Sequence, residues 1–338
     1  MSAVGSDSRV NRPTSGWVVR PADAEPSRTS APRRSPGAGL ALAVLSAASF
    51  GASGSLASGL LDAGWSPGAI VLVRIAVASL VVAPFAVVSL RGRRGVLRAA
   101  GARLLFYGAV PVAGAQFAYF SAVSRMDVGP ALLIEYTAPA AVVVWLWARD
   151  GQRPGRLTLA GAGVAALGLV LVLDLLSGAD LAWGGVAWAL VAMVGAATYF
   201  VMSADTETGL PPLVLAAGGL AAGALVLAVL GLVGLMAMDA TTTSPDYAGR
   251  TVAWWLPLAG LALVTAALAY TAGIAASRLL GSRVASFVAL LEVVAGVLFA
   301  WALLDQLPGV LQLVGGVLIV GGVVLVKLGE RPAPATTG

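Results

Sequence analysis

The amino-acid sequence predicts an all-α polytopic membrane protein with ten transmembrane helices, arranged as two inverted five-helix repeats. Three observations predict this class: long runs without charge, one-sided placement of the arginines, and an internal repeat. Only 11% of the 338 residues are charged and 59% are hydrophobic, whereas soluble domains carry about 25% charged residues. Uncharged runs separate Arg34 from Asp62, Glu207 from Asp239, Arg250 from Arg278, and Asp305 from Lys327. Each run exceeds the roughly 20 residues that a helix needs to cross a bilayer.

The helices follow a polar N-terminal segment. Residues 1–37 are rich in Pro, Ser and Arg and have too few apolar side chains to fold, so we expect a disordered cytoplasmic tail. Residues 38–177 are predicted to form the first repeat, residues 181–328 the second, and residues 329–338 a cytoplasmic C-terminal tail. The ten predicted helices cover residues 38–61, 68–90, 104–124, 128–148, 157–175, 182–203, 211–237, 253–276, 283–303 and 307–328.

Arginine placement gives the orientation, because basic residues concentrate in cytoplasmic loops. With the N-terminus inside, 18 of the 21 Lys and Arg residues fall on the cytoplasmic side. Arg125 and Arg250 fall outside, and Arg74 falls within a span. This bias predicts an even number of helices and cytoplasmic N- and C-termini. Lys327 is the only lysine, which is typical of GC-rich codon usage and indicates a bacterial inner (plasma) membrane.

The two halves of the chain resemble each other at a constant offset. Trp147 matches Trp301, Gly161 matches Gly315, and Gly168 matches Gly322. Each repeat holds five predicted helices, and because five is odd, the second copy crosses the membrane in the opposite direction. Inverted repeats related by a two-fold axis in the membrane plane are typical of secondary transporters.

On these residues the chain resembles the EamA-type transporters of the drug/metabolite transporter (DMT) superfamily, over residues 38–328. The matching parts read "EYTAPAAVVVWLWARDGQRPGRLTLAGAG" and "LLEVVAGVLFAWALLDQLPGVLQLVGGVLIVGG". The phrases "EYTAP" and "SRVASFVALLEV" are similar to the threonine/homoserine-exporter-like branch. The resemblance implies a central cavity surrounded by helices 1–4 and 6–9. Val293 stands where the family has a proline, so a break in helix 9 is less expected than one in helix 4 at Pro139.

Three ionisable residues fall within the predicted spans: Arg74, Glu135 and Glu292. A charge at mid-bilayer costs about 2.5–3.5 kcal/mol, so such residues face a bundle interior or water and usually have partners. Arg74 and Glu135 lie at similar predicted depths, roughly 10 Å below the outer surface at 1.5 Å per residue. At this depth the two side chains are candidates to pair. The alternatives are that Arg74 extends toward the outer headgroups and that Glu135 is a structural partner without a role in turnover.

Gln116 and Tyr119 fall in the same predicted layer as Arg74 and Glu135. We hypothesise that these four residues bind the zwitterionic end of a small substrate or hold an ion pair in one conformational state. Under the repeat offset, Glu292 maps one helical turn from Glu135, so both carboxylates are expected to face one cavity. Because burial disfavours the charged form of a carboxylate, Glu135 or Glu292 is a candidate for proton exchange. A buried helix–helix hydrogen bond is the alternative for Glu292.

The remaining candidates are aromatic residues, prolines and glycines. Tyr199 and Tyr270 either line the cavity or only pack. Pro111 and Pro139 lie inside predicted spans, where each favours a kink, and they are hinge candidates or passive bends. The glycine pairs Gly161/Gly168 and Gly315/Gly322 predict close packing of helices 5 and 10, which supports each repeat or forms a homodimer contact.

These residues predict a secondary transporter that exports amino acids or related small metabolites by alternating access, with proton coupling as a hypothesis. The expected partners are a small-molecule substrate and the lipid bilayer, with no nucleic acid, cofactor or metal. The chain has no Cys and no His, which excludes thiol and imidazole chemistry, and it has no ATP-binding P-loop motif. The alternatives are an intramembrane lipid-modifying enzyme, for which the acid–base residues are sparse, and a channel or non-transporting scaffold.

Overall fold

The computed structural model describes residues 36–91, 100–123, 125–126, 128–173, 182–206 and 209–329. The predicted tails lie outside these ranges, apart from residues 36, 37 and 329. The described residues are almost entirely helical, and their elements are as follows. The first repeat contains α1 Pro36–Asp62; α2 Pro67–Ser89; α3, in the three stretches Gly101–Tyr107, Gly108–Gly114 and Ala115–Val123; α4, in the two stretches Val128–Glu135 and Ala138–Asp150; and α5 Arg156–Val172. The second repeat begins with α6 Trp183–Ala204 and α7 Pro212–Leu232, which the short strands β1 Asp246–Tyr247 and β2 Arg250–Thr251 follow. The helical stretch Ala269–Ala289 is divided at Gly281: its first part belongs to α8, with Trp255–Ala262 and Leu263–Leu268, and its second part belongs to α9, with Leu291–Leu304; α10 is Val310–Gly329.

Local sequence accounts for several helix ends. Ser66 caps α2 by accepting a hydrogen bond from the Ala69 N–H, and Pro67 occupies the first helical position, where its missing N–H costs nothing. Gly151 ends α4 in the left-handed conformation (φ +65°), which glycine adopts without strain. Gly281 (φ +81°) has non-helical backbone angles within one continuous helical stretch, so the helix is kinked there, and this kink is taken as the boundary between α8 and α9.

The described helices are those of a membrane-embedded, multi-pass protein. Within the described residues, seven helical stretches are long and apolar enough to cross a membrane, and Arg156–Val172 and Leu291–Leu304 are shorter apolar helices. One of the seven, Trp255–Ala289, includes the interruption at Gly281. Large apolar side chains project from the bundle surface, such as Leu80 and Val317, which are each 73% exposed, as expected for contact with lipid. The number of ten crossings stays a prediction.

Helix packing follows the two-repeat pattern. Helix α1 packs against α8, and the equivalent α6 packs against α3; likewise α1 contacts α9 and α6 contacts α4. Single contacts show the same equivalence, because Gly39 lies against Leu280 while Gly185 lies against Met126. The helices α2 and α7, and α5 and α10, pack against their own equivalents. Each of these contacts joins a helix of one repeat to a helix of the other, so the core of the bundle lies largely between the two repeats.

The α5–α10 contact shows directly that the repeats are inverted. A Cβ placed on Gly161 would lie 2.6 Å from the Gly322 carbonyl oxygen, and one on Gly315 would lie 2.6 Å from the Gly168 carbonyl oxygen. The early glycine of each helix thus faces the late glycine of the other, so the two equivalent helices run antiparallel. This confirms the predicted glycine packing, with the contact formed between the two repeats of one chain.

Residues 233–254 form a connection between α7 and α8 that is bound to the α1–α2 turn. The Ser66 N–H donates to the Asp239 carbonyl oxygen at 2.9 Å, and the Tyr247 hydroxyl donates to the Leu56 carbonyl oxygen at 2.5 Å. Burial, together with the nearby Asp62 carboxylate, raises the pKa of Tyr247 to about 12. Tyr247 therefore stays a neutral donor at physiological pH and holds the connection against the end of α1.

The inverted arrangement makes a topology prediction for two equivalent loops. Arg153 lies in the α4–α5 loop and Leu307 in the α9–α10 loop, and both are exposed. These loops lie at opposite ends of α5. The α4–α5 loop leads directly into Arg156, the first residue of α5, whereas Gln312, which follows the α9–α10 loop, donates to the carbonyl oxygen of Val172, the last residue of α5. We expect a cysteine at Leu307 to react with a membrane-impermeant maleimide in intact cells, and one at Arg153 to react only after permeabilisation. The unmodified chain, which has no cysteine, is the blank, and labelling of both positions from one side would contradict the inverted fold.

Candidate functional site

A cavity of about 970 Å³ lies between the two repeats. Its volume is within the range of small-molecule sites, about 300–1,000 Å³. All nine residues that the sequence predicted as substrate, coupling or hinge candidates line this cavity: Arg74, Pro111, Gln116, Tyr119, Glu135, Pro139, Tyr199, Tyr270 and Glu292. The structure therefore brings these residues together, and their roles in transport stay predictions.

Two carboxylates lie close together in the cavity because two helices are interrupted at equivalent positions. Glu135 is the last residue of the first α4 stretch, and Glu292 lies in the first turn of the second α9 stretch. The Tyr136 side chain lies within reach of Glu292, and Tyr119 lies near enough to both carboxylates to interact with them electrostatically. The predicted convergence of Glu135 and Glu292 on one cavity is thus found in the structure.

Arg74 is held by α8, not by Glu135. Its Nη2 donates to the Thr265 carbonyl oxygen at 2.8 Å, and its guanidinium lies 5.9 Å from the centre of the Phe50 ring. Within the described residues Arg74 forms no ion pair with Glu135. The carboxylate that interacts with it electrostatically is that of Glu292. Arg74 is only 7% exposed, so the alternative that it extends to the headgroups is wrong. The expected pairing failed because equal depth in the membrane does not place two side chains on facing sides of their helices.

An aromatic cluster lines the cavity beside Arg74. Tyr270 packs edge-on against Phe50, with ring centres 5.1 Å apart, and edge-on against Tyr199 at 5.7 Å. The Tyr199 and Phe200 ring centres are 5.0 Å apart, and Gln116 lies close to the Tyr270 side chain. The Tyr199 hydroxyl is buried in this cluster without a hydrogen-bond partner among the described residues. Tyr199 and Tyr270 thus both pack and face the cavity.

The cavity reaches one end of the bundle. Its lining extends to Leu61 and Pro67, which flank the α1–α2 turn, and to Leu304, Gln306 and Gln312 around the α9–α10 loop. By the predicted topology this end faces the outside. The cavity is therefore positioned to exchange solutes with one side of the membrane.

At the opposite end, polar contacts join the helices below the cavity. Arg103 Nη2 lies 2.6 Å from Asp205 Oδ2, and both side chains are about a quarter exposed. Arg278 Nη1 donates to the Leu210 carbonyl oxygen, and the Tyr107 and Ser203 hydroxyls are 2.9 Å apart. We call these six residues the closed end. Sequence reasoning assigned Arg103 and Arg278 only to the topology of the chain, and it did not connect them with Asp205.

Both repeats of the chain match one known protein family. A family model described as "EamA-like transporter family" matches residues 37–174 and again residues 183–328. The chain belongs to the EamA-like transporter family. The two matches confirm the resemblance at the level of the family and the two-repeat architecture, while the threonine/homoserine-exporter-like branch stays a prediction.

The fold of this chain is also found in a solved structure. One crystal structure, described only as that of a protein, has a TM-score of 0.70 to this chain at 20% sequence identity. The similarity covers 88% of this chain and all of the other. At this identity the similarity shows the fold alone. A search of curated proteins gave no match to the chain.

The helix interruptions of this EamA-like chain form both with and without proline. In α3, Pro111 lies within a wide π-helical turn at Gly108–Gly114, but the equivalent π-helical turn of α8, Leu263–Leu268, contains no proline. In α4 the interruption at residues 136–137 precedes Pro139. The interruption in α9 at Leu290 forms without any proline, which corrects the sequence-based expectation for helix 9.

A change of hydrogen-bond register accounts for the break in α9. The Leu290 N–H donates to the Phe287 carbonyl oxygen, and the Val293 N–H donates to the Leu290 carbonyl oxygen, both at 3.1 Å. These are the i→i+3 bonds of a tighter 3₁₀-type turn, which any residue can adopt. The two prolines therefore remain hinge candidates by position, in turns that the other repeat forms without them.

Sequence reasoning also missed several residues of the site. Phe50, Phe200, Tyr136 and Ser46 line the cavity, but none of them is ionisable within the membrane at neutral pH, so a search for intramembrane charges passes over them. Tyr136 follows Glu135 directly in the sequence, and this adjacency was the one available signal.

Proposed function

We propose that this EamA-like protein is a secondary transporter that exports amino acids or related small metabolites from a bacterial cell by alternating access. The observation that carries the proposal is the cavity between two inverted repeats, which reaches one end of the bundle and is separated from the other by the closed end. Two repeats of one fold can exchange conformations, and that exchange would move the opening to the other side. The threonine/homoserine-exporter-like phrases favour small amino acids as the first solutes to examine.

Proton coupling is part of the proposal. Glu135 and Glu292 are the two carboxylates among the described residues that line the cavity, and a carboxylate can bind and release a proton. A carboxylate that faces each side of the membrane in turn can release a proton on one side and bind one on the other. Export would then be driven by protons that enter the cell as the solute leaves.

Counterflow in proteoliposomes tests the transport proposal. Vesicles that contain the full chain are loaded with unlabelled threonine or homoserine and diluted into a trace of the labelled solute. A carrier should accumulate the label transiently and saturably, because a binding site that alternates exchanges internal for external solute. Protein-free vesicles are the control. Label entry that is absent, or that rises without saturation as a channel would give, argues against a carrier for these solutes.

The closed end makes a prediction of its own. Replacing Arg103 or Asp205 with alanine removes the ion pair, which is about a quarter exposed and thus worth at most about 1 kcal/mol. We expect a cysteine at Ser277, which lines the cavity, to become about two- to fivefold more reactive toward an impermeant maleimide applied to the cytoplasmic face of inverted vesicles.

A charge swap is the control for the closed end. The double variant Arg103→Asp with Asp205→Arg keeps an ion pair of reversed polarity and should return the labelling rate toward that of the parent. Unchanged labelling in both alanine variants would show that this pair does not hold the closed end.

A further inference from the structure

The charged residues of the cavity are unbalanced in favour of acid. Among the described residues that line it, three are charged: Arg74, Glu135 and Glu292. Arg74 already donates to the Thr265 carbonyl oxygen and lies within the electrostatic reach of Glu292. Glu135 has no ion-pair partner among the described residues. A solute in this cavity therefore meets a carboxylate that no protein cation neutralises.

The cavity is also lined by flat aromatic rings, one of which carries a buried hydroxyl group. Phe50, Tyr199, Phe200 and Tyr270 present faces and edges within one cluster. Tyr199 is 9% exposed, lines the cavity, and its hydroxyl has no partner among the described residues. Aromatic faces attract cations with about 0.5–2 kcal/mol, and edge-to-face packing favours an aromatic solute.

Arg74 would not hold a solute carboxylate in isolation. It is 7% exposed, its Nη2 donates to the Thr265 carbonyl oxygen of α8, and its Nε has no partner among the described residues. A solute anion that reached Arg74 would also approach Glu135 and Glu292, which oppose its binding. The same environment is attractive for an ammonium group, because the ammonium can lie between a carboxylate and the aromatic rings.

We propose that the cavity selects solutes that combine a protonated amine with a flat aromatic ring, and that a solute carboxylate weakens binding. The ammonium group lies beside Glu135, and the ring packs in the cluster of Phe50, Tyr199, Phe200 and Tyr270. This selectivity rests on the proposed transport function, and among the proposed solutes it favours aromatic amines over amino acids, whose carboxylate weakens binding.

Three solutes that share one ring and differ in charge test this selectivity. Phenethylamine is a cation, phenylalanine a zwitterion and 3-phenylpropionate an anion at neutral pH. Titration calorimetry of the purified full chain in detergent should give affinities in that order, with phenethylamine at least about tenfold tighter than 3-phenylpropionate, a difference of about 1.4 kcal/mol. Tightest binding by phenylalanine or 3-phenylpropionate would overturn the proposal, as would the absence of binding by all three at millimolar concentration.

Variants locate the ammonium group. Glu135→Gln should weaken phenethylamine binding by about tenfold while changing 3-phenylpropionate binding little or in the opposite direction. Asp150→Asn, which changes an exposed carboxylate at the far end of the same helix, is the matched control and should leave both affinities unchanged. An equal effect of Glu135→Gln on the cation and the anion would show that the variant acts on the fold, and it would count against the proposed ammonium site.

Counterflow of the same solutes separates this proposal from the proposed function. Binding of phenethylamine in the expected order without counterflow would leave the selectivity intact and contradict the carrier. Saturable counterflow of the anion in preference to the cation would support the carrier and overturn the selectivity.

Discussion

Replacing Gly168 with alanine should destabilise the folded protein by about 1–3 kcal/mol or more, the usual cost of forcing extra volume into a packed interface. A Cβ on Gly168 would lie 2.5 Å from the Gly315 carbonyl oxygen and 2.7 Å from the Ile319 backbone nitrogen. Both are backbone atoms, so no side-chain rotation relieves the overlap, and α5 must move away from α10. Unfolding followed by intrinsic tryptophan fluorescence in detergent should show the loss as a lower Tm than that of the parent.

Two further variants make this result specific. Gly163→Ala lies on the same helix, with no atom within 4 Å of the added Cβ, and it should leave Tm unchanged or raise it slightly, because alanine favours helix over glycine. Gly315→Ala, the repeat equivalent, meets the Gly168 carbonyl oxygen at 2.6 Å and should cost about as much as Gly168→Ala. Equal Tm values for Gly168→Ala and Gly163→Ala would mean that the two helices are not in close contact in the membrane.

The architecture was predictable because its signals are long-range regularities of the sequence. Uncharged runs, the arginine bias and the repeat offset each involve many residues, so the membrane class and the paired repeats do not depend on any single position. The interruptions in α8 and α9 were not predictable in the same way. No proline or glycine stands at Leu263–Leu268 or at Leu290, and the local sequence there permits a regular helix. Tertiary packing therefore decides the backbone path at these points.

The sequence predicted which residues line the site better than it predicted which neighbours those residues contact. Intramembrane charge is costly, which is why Arg74, Glu135 and Glu292 stood out and why all three face the cavity. The direction of a side chain around its helix axis depends on packing between helices. Sequence depth alone therefore gave the wrong partner for Arg74, whose hydrogen bond goes to the Thr265 backbone. The repeat offset contains that angular information, and it correctly placed Glu292 beside Glu135.

The carboxylate variants should have the largest functional effect. If one proton is exchanged for one solute molecule, a gradient of about one pH unit supports a solute gradient of about tenfold, because both correspond to about 1.4 kcal/mol. Proteoliposomes with an acidic lumen should therefore accumulate a transported amino acid about tenfold as protons leave, and protein-free liposomes measure any accumulation that does not need the carrier. At least one of Glu135→Gln and Glu292→Gln should reduce this ratio to one, since glutamine keeps the shape and polarity of the side chain but cannot exchange a proton.

The matched control for these variants is Tyr136→Phe. It removes the hydroxyl group within reach of Glu292 but leaves both carboxylates in place, so the rate can change while the accumulation ratio should stay near tenfold. A purely structural role for the glutamates would slow uptake and exchange together in the glutamine variants, with the final ratio unaltered. Unchanged pH dependence in both glutamine variants would exclude proton exchange at these residues. The coupling would then have to be sought outside Glu135 and Glu292, and the two carboxylates would remain as the acidic wall of a cavity that attracts amines.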